Sequence, residues 1–197
     1  MITPEPSHMH TTFRSLVTSI HGLLFGSLFL IAIAATALEL LRQQVMVRPA
    51  ELTPLGRFLE RAAYIKMAAF GWIAVLLGTY VIYPWYRSKP PAGANLADYP
   101  RSLLLSSPNT AAWHSFGMEW KEHVGWIAPI VATMLAVVMI RHAAALRVDK
   151  RLGRAVLAFA CAGLLATAVA GFFGAMLDKT APVVGGATYT VMGGHHG

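Results

Sequence analysis

The stretch SLVTSIHGLLFGSLFLIAIAATALELL, residues 15–41, contains only two ionisable side chains, His21 and Glu39, in 27 residues. About 20 consecutive apolar residues are enough to cross the hydrocarbon core of a bilayer as a helix. Three further apolar runs follow, at roughly 67–84, 124–140 and 155–177. None alternates with the period of two that marks a strand, and a helix satisfies its own backbone hydrogen bonds in lipid. Composition agrees: 56% of the chain is hydrophobic and 13% charged, against about 25% charged in an ordinary soluble domain. The expected fold is an all-α integral membrane protein, a bundle of four transmembrane helices with an ordered outer loop between the second and third.

The connections sharpen the bounds. In RPAELTPLGRFLERAAYIKM, Thr53 is an N-cap candidate and Pro54 suits the first helical position. SSPNTAAWHSF supplies a similar start near Pro108, which carries the third helix back well before its most apolar part. Helices are expected at about 14–41, 54–84, 109–141 and 151–177, within a membrane domain of 13–180. A short outer segment, 1–12, precedes it, and a glycine-rich tail, 181–197, expected to be irregular, follows. The segment 84–112 holds five prolines together with leucines and aromatics, which suits an ordered loop. The last helix is dense in alanine and glycine, a composition that lets helix backbones approach closely and suggests burial in the bundle or against another subunit. Cys161, the single cysteine, excludes an internal disulfide and reads as a small buried packing residue.

Charge sets the orientation. Arg42, Arg48, Arg57, Arg61 and Lys66 surround the first connection, and Arg141, Arg147, Lys150, Arg151 and Arg154 the third. The other side carries Arg14, Arg87, Lys89, Arg101, Lys121 and Lys179, so the balance is ten against six. Positive residues gather on the cytoplasmic side, which puts both termini outside, in the periplasm if the cell is Gram-negative, and the chain in a bacterial inner membrane. The Ala-x-Ala steps of IAIAATALE resemble a signal-peptide cleavage site, but the apolar run before them is too long and its basic flank is only Arg14. The net charge of +7 lies between apolar runs rather than on a basic face with interleaved aromatics, so nucleic acid is not an expected partner.

Polar groups inside apolar helices carry the functional expectation. At 1.5 Å per residue, His21 stands roughly 31 Å above Arg42, and His123 roughly 27 Å above Arg141. Tyr83, from Lys66, and Asp178, from Arg154, come to similar levels. On the third helix Glu119 and His123 share a face at i and i+4, with Glu122 and Trp126 close by, whereas His114 looks elsewhere unless the helix breaks at Gly117. The expected site is therefore His21 with His123, Glu119, Glu122, Tyr83 and Trp126 near the outer face. Histidines on two helices at one level suit haem b, with His21 and His123 as iron ligands. A carboxylate and an imidazole lined by Trp120, Trp126 and Tyr83 suit a quinone head group. A mixed set of His21, His123, Glu119 and Glu122 suits a non-haem metal, although the spacing E-x-x-E-H is not the Glu-x-x-His motif of the di-iron bundles and has no second copy. His8, His10, His195 and His196 are candidates for copper at the outer termini. The competing reading is an aromatic belt of Trp113, Trp120, Trp126, Tyr80, Tyr83, Trp85 and Tyr86, with wetted charges and no cofactor. No nucleotide loop, nucleophile elbow or zinc-protease motif is present. The expectation is thus not a self-contained enzyme but an accessory or electron-transferring subunit of a redox complex, packed against other membrane subunits. The alternative is a cofactor-free structural or assembly subunit.

Overall fold

A computed structural model describes residues 9–45 and 53–192. A short strand β1, Met9–Thr12, leads into helix α1, Phe13–Val45. Helix α2, Pro54–Tyr86, is followed by a loop with a short helix α3, Pro100–Leu105, and then by α4, Pro108–Arg141. A six-residue helix α5, Ala143–Val148, turns the chain into α6, Lys150–Thr180, and strand β2, Thr188–Met192, closes the described part. The chain is mostly helical, and α1, α2, α4 and α6 are each long and apolar enough to cross a membrane. β1 and β2 pair at one end of the helices, here called the terminal side; the other end is the basic side.

Local chemistry starts each helix. The Thr12 hydroxyl accepts from Ser15 N at 3.2 Å and that of Thr53 from Gly56 N at 3.1 Å, with Pro54 at the first helical position. Ser107 serves α4 in the same way, and the Asp149 carboxylate accepts from Arg151 N and Leu152 N at 2.8 and 3.1 Å. Lys150 Nζ donates to the Gln43 and Gln44 carbonyls at 3.1 and 3.4 Å. A cation of α6 thus completes the exposed carbonyl end of α1, where the helix dipole favours positive charge.

In lipid, helices associate through close packing rather than through exclusion of water. The core shows it. Phe29, Ile33 and Leu40 of α1 interlock with Met67 of α2, Ala132 and Leu135 of α4, and Ala160 of α6. A Cβ at Gly163 would sit 2.9 Å from Val131 Cγ1 and 3.0 Å from Ile33 Cδ1, so a bare backbone is needed where α1, α4 and α6 meet. A second cluster, on the terminal side, gathers Ile82, Tyr86, Leu104, Met118, Leu177, Ala181 and Val183. It holds the loop: Leu104 is fully buried, and its carbonyl accepts from Thr110 Oγ1 at 2.7 Å.

Three features differ from the sequence reading. The tail is not wholly irregular, because Thr188–Met192 pairs antiparallel with β1, placing His10 opposite Thr190 and Thr12 opposite Thr188. Threonine, tyrosine and valine favour extended backbone, and Gly185 and Gly186, at φ of +114° and +83°, make the turn that brings the tail back. Cys161 is exposed, since the packed face of α6 runs through Val156, Ala160, Gly163 and Ala166, and Cys161 lies one residue round from it. The most enclosed helix is α4, with 44% of its most apolar window buried, against 28% for the alanine-rich α6.

Gly163→Leu is expected to destabilise the protein in detergent by about 1–3 kcal/mol through overpacking. Gly171→Ala, with nothing within 4 Å of the new Cβ, should instead stabilise by about 0.5–1 kcal/mol through helix propensity. Thermal unfolding of the two variants reads the difference in sign.

Candidate functional site

The helices are irregular on the terminal side. α1 widens into a π-helical turn at Ile20–Gly26, α2 at Gly78–Ile82 and α4 at Trp113–Met118, and a 3₁₀ turn at Val124–Trp126 follows in α4. The π turns add a residue to the helical circuit and recur at functional sites, whereas the 3₁₀ turn tightens it. Here they bring the polar residues of the interior together.

His21 occupies the first of these turns. Its imidazole lies against Gly78, the residue that opens the second, with Cε1 only 2.9 Å from where a Cβ would stand. The ring faces the backbone of Ala74, one turn earlier on α2. Its Nδ1 is buried and has no hydrogen-bond partner among the described residues, and the same holds for Trp120 Nε1. Beside Trp120, Lys121 sends its ammonium into the bundle, 3.1 Å from the Cβ position of Gly174 on α6. Its charge acts on His21 and on Asp178, yet no hydrogen bond or ion pair holds it among the described residues. Phe173 backs Trp113, Phe116 and Trp120 with ring centroids 5.4–6.4 Å apart, and it fits because Gly117 has no side chain to displace it.

A second polar group lies against the loop. The Tyr86 hydroxyl and His114 Nδ1 are 2.8 Å apart, and Arg101 Nε donates to His114 Nε2 at 3.4 Å. With Nε2 accepting, a neutral His114 carries its proton on Nδ1 and donates it to Tyr86. Arg87 donates to the Tyr83 hydroxyl at 3.1 Å, Glu122 is its acidic neighbour, and the rings of Tyr83 and Tyr86 stack at 6.3 Å.

The residues singled out in the sequence are thus divided between different surroundings. His123 is exposed, with Nδ1 2.9 Å from its own helix's Glu119 carbonyl and 3.6 Å from the Glu119 carboxylate. The two side chains retain 72% and 52% of their exposure, which leaves this pair outside the bundle. Glu122 joins Tyr83, and Trp126 meets Trp72 edge to face at 6.2 Å. The opposition of His21 and His123 is therefore not made. Lys121 is the residue of that helical turn that acts on His21, and His123, two residues on, is rotated by about 200°. Iron held by both rings would need them to face one gap. Among the described residues, no three of His, Cys, Asp and Glu converge as a metal site. Of the copper candidates, His10 lies in β1 beside Thr190, whereas His8, His195 and His196 lie outside the described residues.

Sequence spacing alone did not place Lys121, counted only among the outer-side charges, inside the bundle, and it read His114 as looking elsewhere. The signal for Lys121 was Gly174 on the facing helix. His114 stands within the π turn, next to the glycine already marked as a break. No protein-family model matches the chain, and no curated protein or solved structure is detectably similar to it.

Gly78→Val should unseat the imidazole and cost about 1–3 kcal/mol, while the same change made together with His21→Ala should cost less, with a coupling of at least about 0.5 kcal/mol. His123→Ala, on an exposed side chain, should stay within about 0.5 kcal/mol of the parent. A double-mutant cycle of detergent melting measures all three.

Proposed function

We propose that this protein is a membrane subunit of a bacterial redox complex that holds a quinone or hydroquinone head group at the terminal side of its helices. One observation carries the proposal: two buried polar atoms without partners among the described residues, His21 Nδ1 and Trp120 Nε1, accompany an ammonium, that of Lys121, with none either. A buried donor or acceptor left unsatisfied costs about 1–3 kcal/mol, and a ligand with hydrogen-bonding oxygens and a flat ring relieves that cost. Lys121 and Trp120 are donors suited to a quinone oxygen, and His21 is suited to take up a proton released on oxidation. The electrons then pass to a redox centre in a partner subunit. The aromatic wall of Trp113, Phe116, Trp120 and Phe173 offers the ring an apolar neighbour. Haem b fits this arrangement less well, since His21 would need a second axial ligand from another chain. With basic connections inward, the site lies on the periplasmic side of the inner membrane.

A second reading, a structural or assembly subunit, is favoured by the exposed face of α6. Ala155, Ala158, Ala162, Ala168, Gly171 and Ala175 are exposed along it, and small residues of this kind let another helix approach closely.

The test is binding of a short-chain ubiquinone to purified protein in detergent, followed by tryptophan fluorescence, with extraction and mass spectrometry of any native quinone. Saturable binding is expected, weakened by about tenfold in His21→Ala and Lys121→Met and unchanged in His123→Ala. No saturable binding by the parent protein, or equal binding by all variants, overturns the proposal. A Soret band in the purified protein restores haem.

A further inference from the structure

A shallow groove runs between α2 and α4 on the basic half of the molecule, far from the site just described. Its volume is about 280 Å³, and it is lined by Ile65, Ala68, Thr133, Ala136, Val137, Ile140 and Arg141. Small side chains make room for it, since Ala68 and Ala136 lie between the larger Ile65 and Val137. At its upper end Trp72 Nε1 donates to Thr133 Oγ1 at 2.9 Å across the two helices, while the Thr133 hydroxyl donates to Pro129 O at 2.8 Å. The threonine in the wall is therefore satisfied, and the other polar side chain there is Arg141. Thr133 and Arg141 lie about 12 Å apart along α4, enough for a stretch of acyl chain.

The lower end is cationic. Arg141 closes α4, and Arg61 lies one turn below Ile65 on the same face of α2, since residues four apart share a face. Both arginines are exposed, and neither has a hydrogen bond or ion pair among the described residues. The carboxylates described on this side are already engaged. Glu39 accepts from Arg42 and Gln43, Glu60 from Tyr64, and Asp149 from the start of α6. An apolar slot flanked at its mouth by two exposed arginines, without ionic partners among the described residues, suits the chain and the charge of an anionic phospholipid. Basic pockets between transmembrane helices take such headgroups.

We propose that this groove binds one anionic phospholipid of the leaflet on the basic side, its acyl chain between α2 and α4 and its phosphate between Arg61 and Arg141. Zwitterionic lipids fill the same slot without the charge contribution. The occupant is set by the headgroup, and the chain contributes in both cases.

Native mass spectrometry of the full chain, purified in detergent and titrated with phosphatidylglycerol or phosphatidylcholine, tests this. The parent protein should retain one phosphatidylglycerol in preference to phosphatidylcholine. R61Q together with R141Q should lose that preference by roughly twentyfold, about fivefold for each arginine. Ala68→Leu, which fills the groove, should lose retention of both lipids while its melting temperature and elution volume stay close to those of the parent. If Ala68→Leu does not fold, Ile65→Trp, placed at an exposed wall position, takes its role. Equal retention of the two lipids by the parent overturns the proposal. So does parental retention of phosphatidylglycerol in the arginine variant, and so does a folded groove-filling variant that binds as the parent does.

Discussion

Pressing an imidazole against the backbone of a neighbouring helix demands a glycine opposite, a side chain held at the right height, and a backbone able to yield on both sides. His21 and Gly78 meet these demands together, each from within a widened turn of its own helix. The arrangement of the terminal half follows from that seat. The Ala74 backbone faces the ring, Lys121 closes in from α4, Gly174 keeps α6 clear of the lysine, and Gly117 keeps α4 clear of Phe173. In a bilayer every freed backbone group must find another partner, so three π turns on one side of a small protein are a costly choice. Their cost is borne where polar chemistry is gathered, as expected if local irregularity is kept for function.

The two halves use different means. On the basic side the helices are regular and tightly interlocked, the ends are capped by Asp149 and Lys150, and surplus cations face outward. On the terminal side, aromatic edges, a proline-bearing loop and the second hydrophobic cluster do the packing, with Tyr86, His114 and Arg101 fastening loop to helix. One half is built for rigidity and the other for placing side chains.

The sequence was informative wherever a single helix determines the outcome. The lengths of the apolar runs, the Thr53–Pro54 start and the Ser107–Pro108 start are local facts, and α2 and α4 begin where they indicate. Facing was harder. The angle of 100° per residue holds within the turn Glu119–His123, and there it correctly joined Glu119 to His123; it gave no reason to turn that pair outward. What turned it was the meeting of three helices: Lys121 took the interior position, and π and 3₁₀ turns on either side reset the rotation. Such turns depend on tertiary contacts, so a periodic reading of one helix does not contain them. The strand pair is similar in kind. Thr188–Met192 has the composition of a strand, but its partner lies about 180 residues earlier and is visible only in space.

That pairing has a mechanical consequence. Met9 and Met192 lie at the same end of the ladder, so the described part of the chain begins and ends at one point, and the path between them is almost a closed ring. A pull on the two ends loads the ladder one rung at a time, as a zipper is opened, rather than all rungs at once as in shear. The stitch therefore gives way before the helices do.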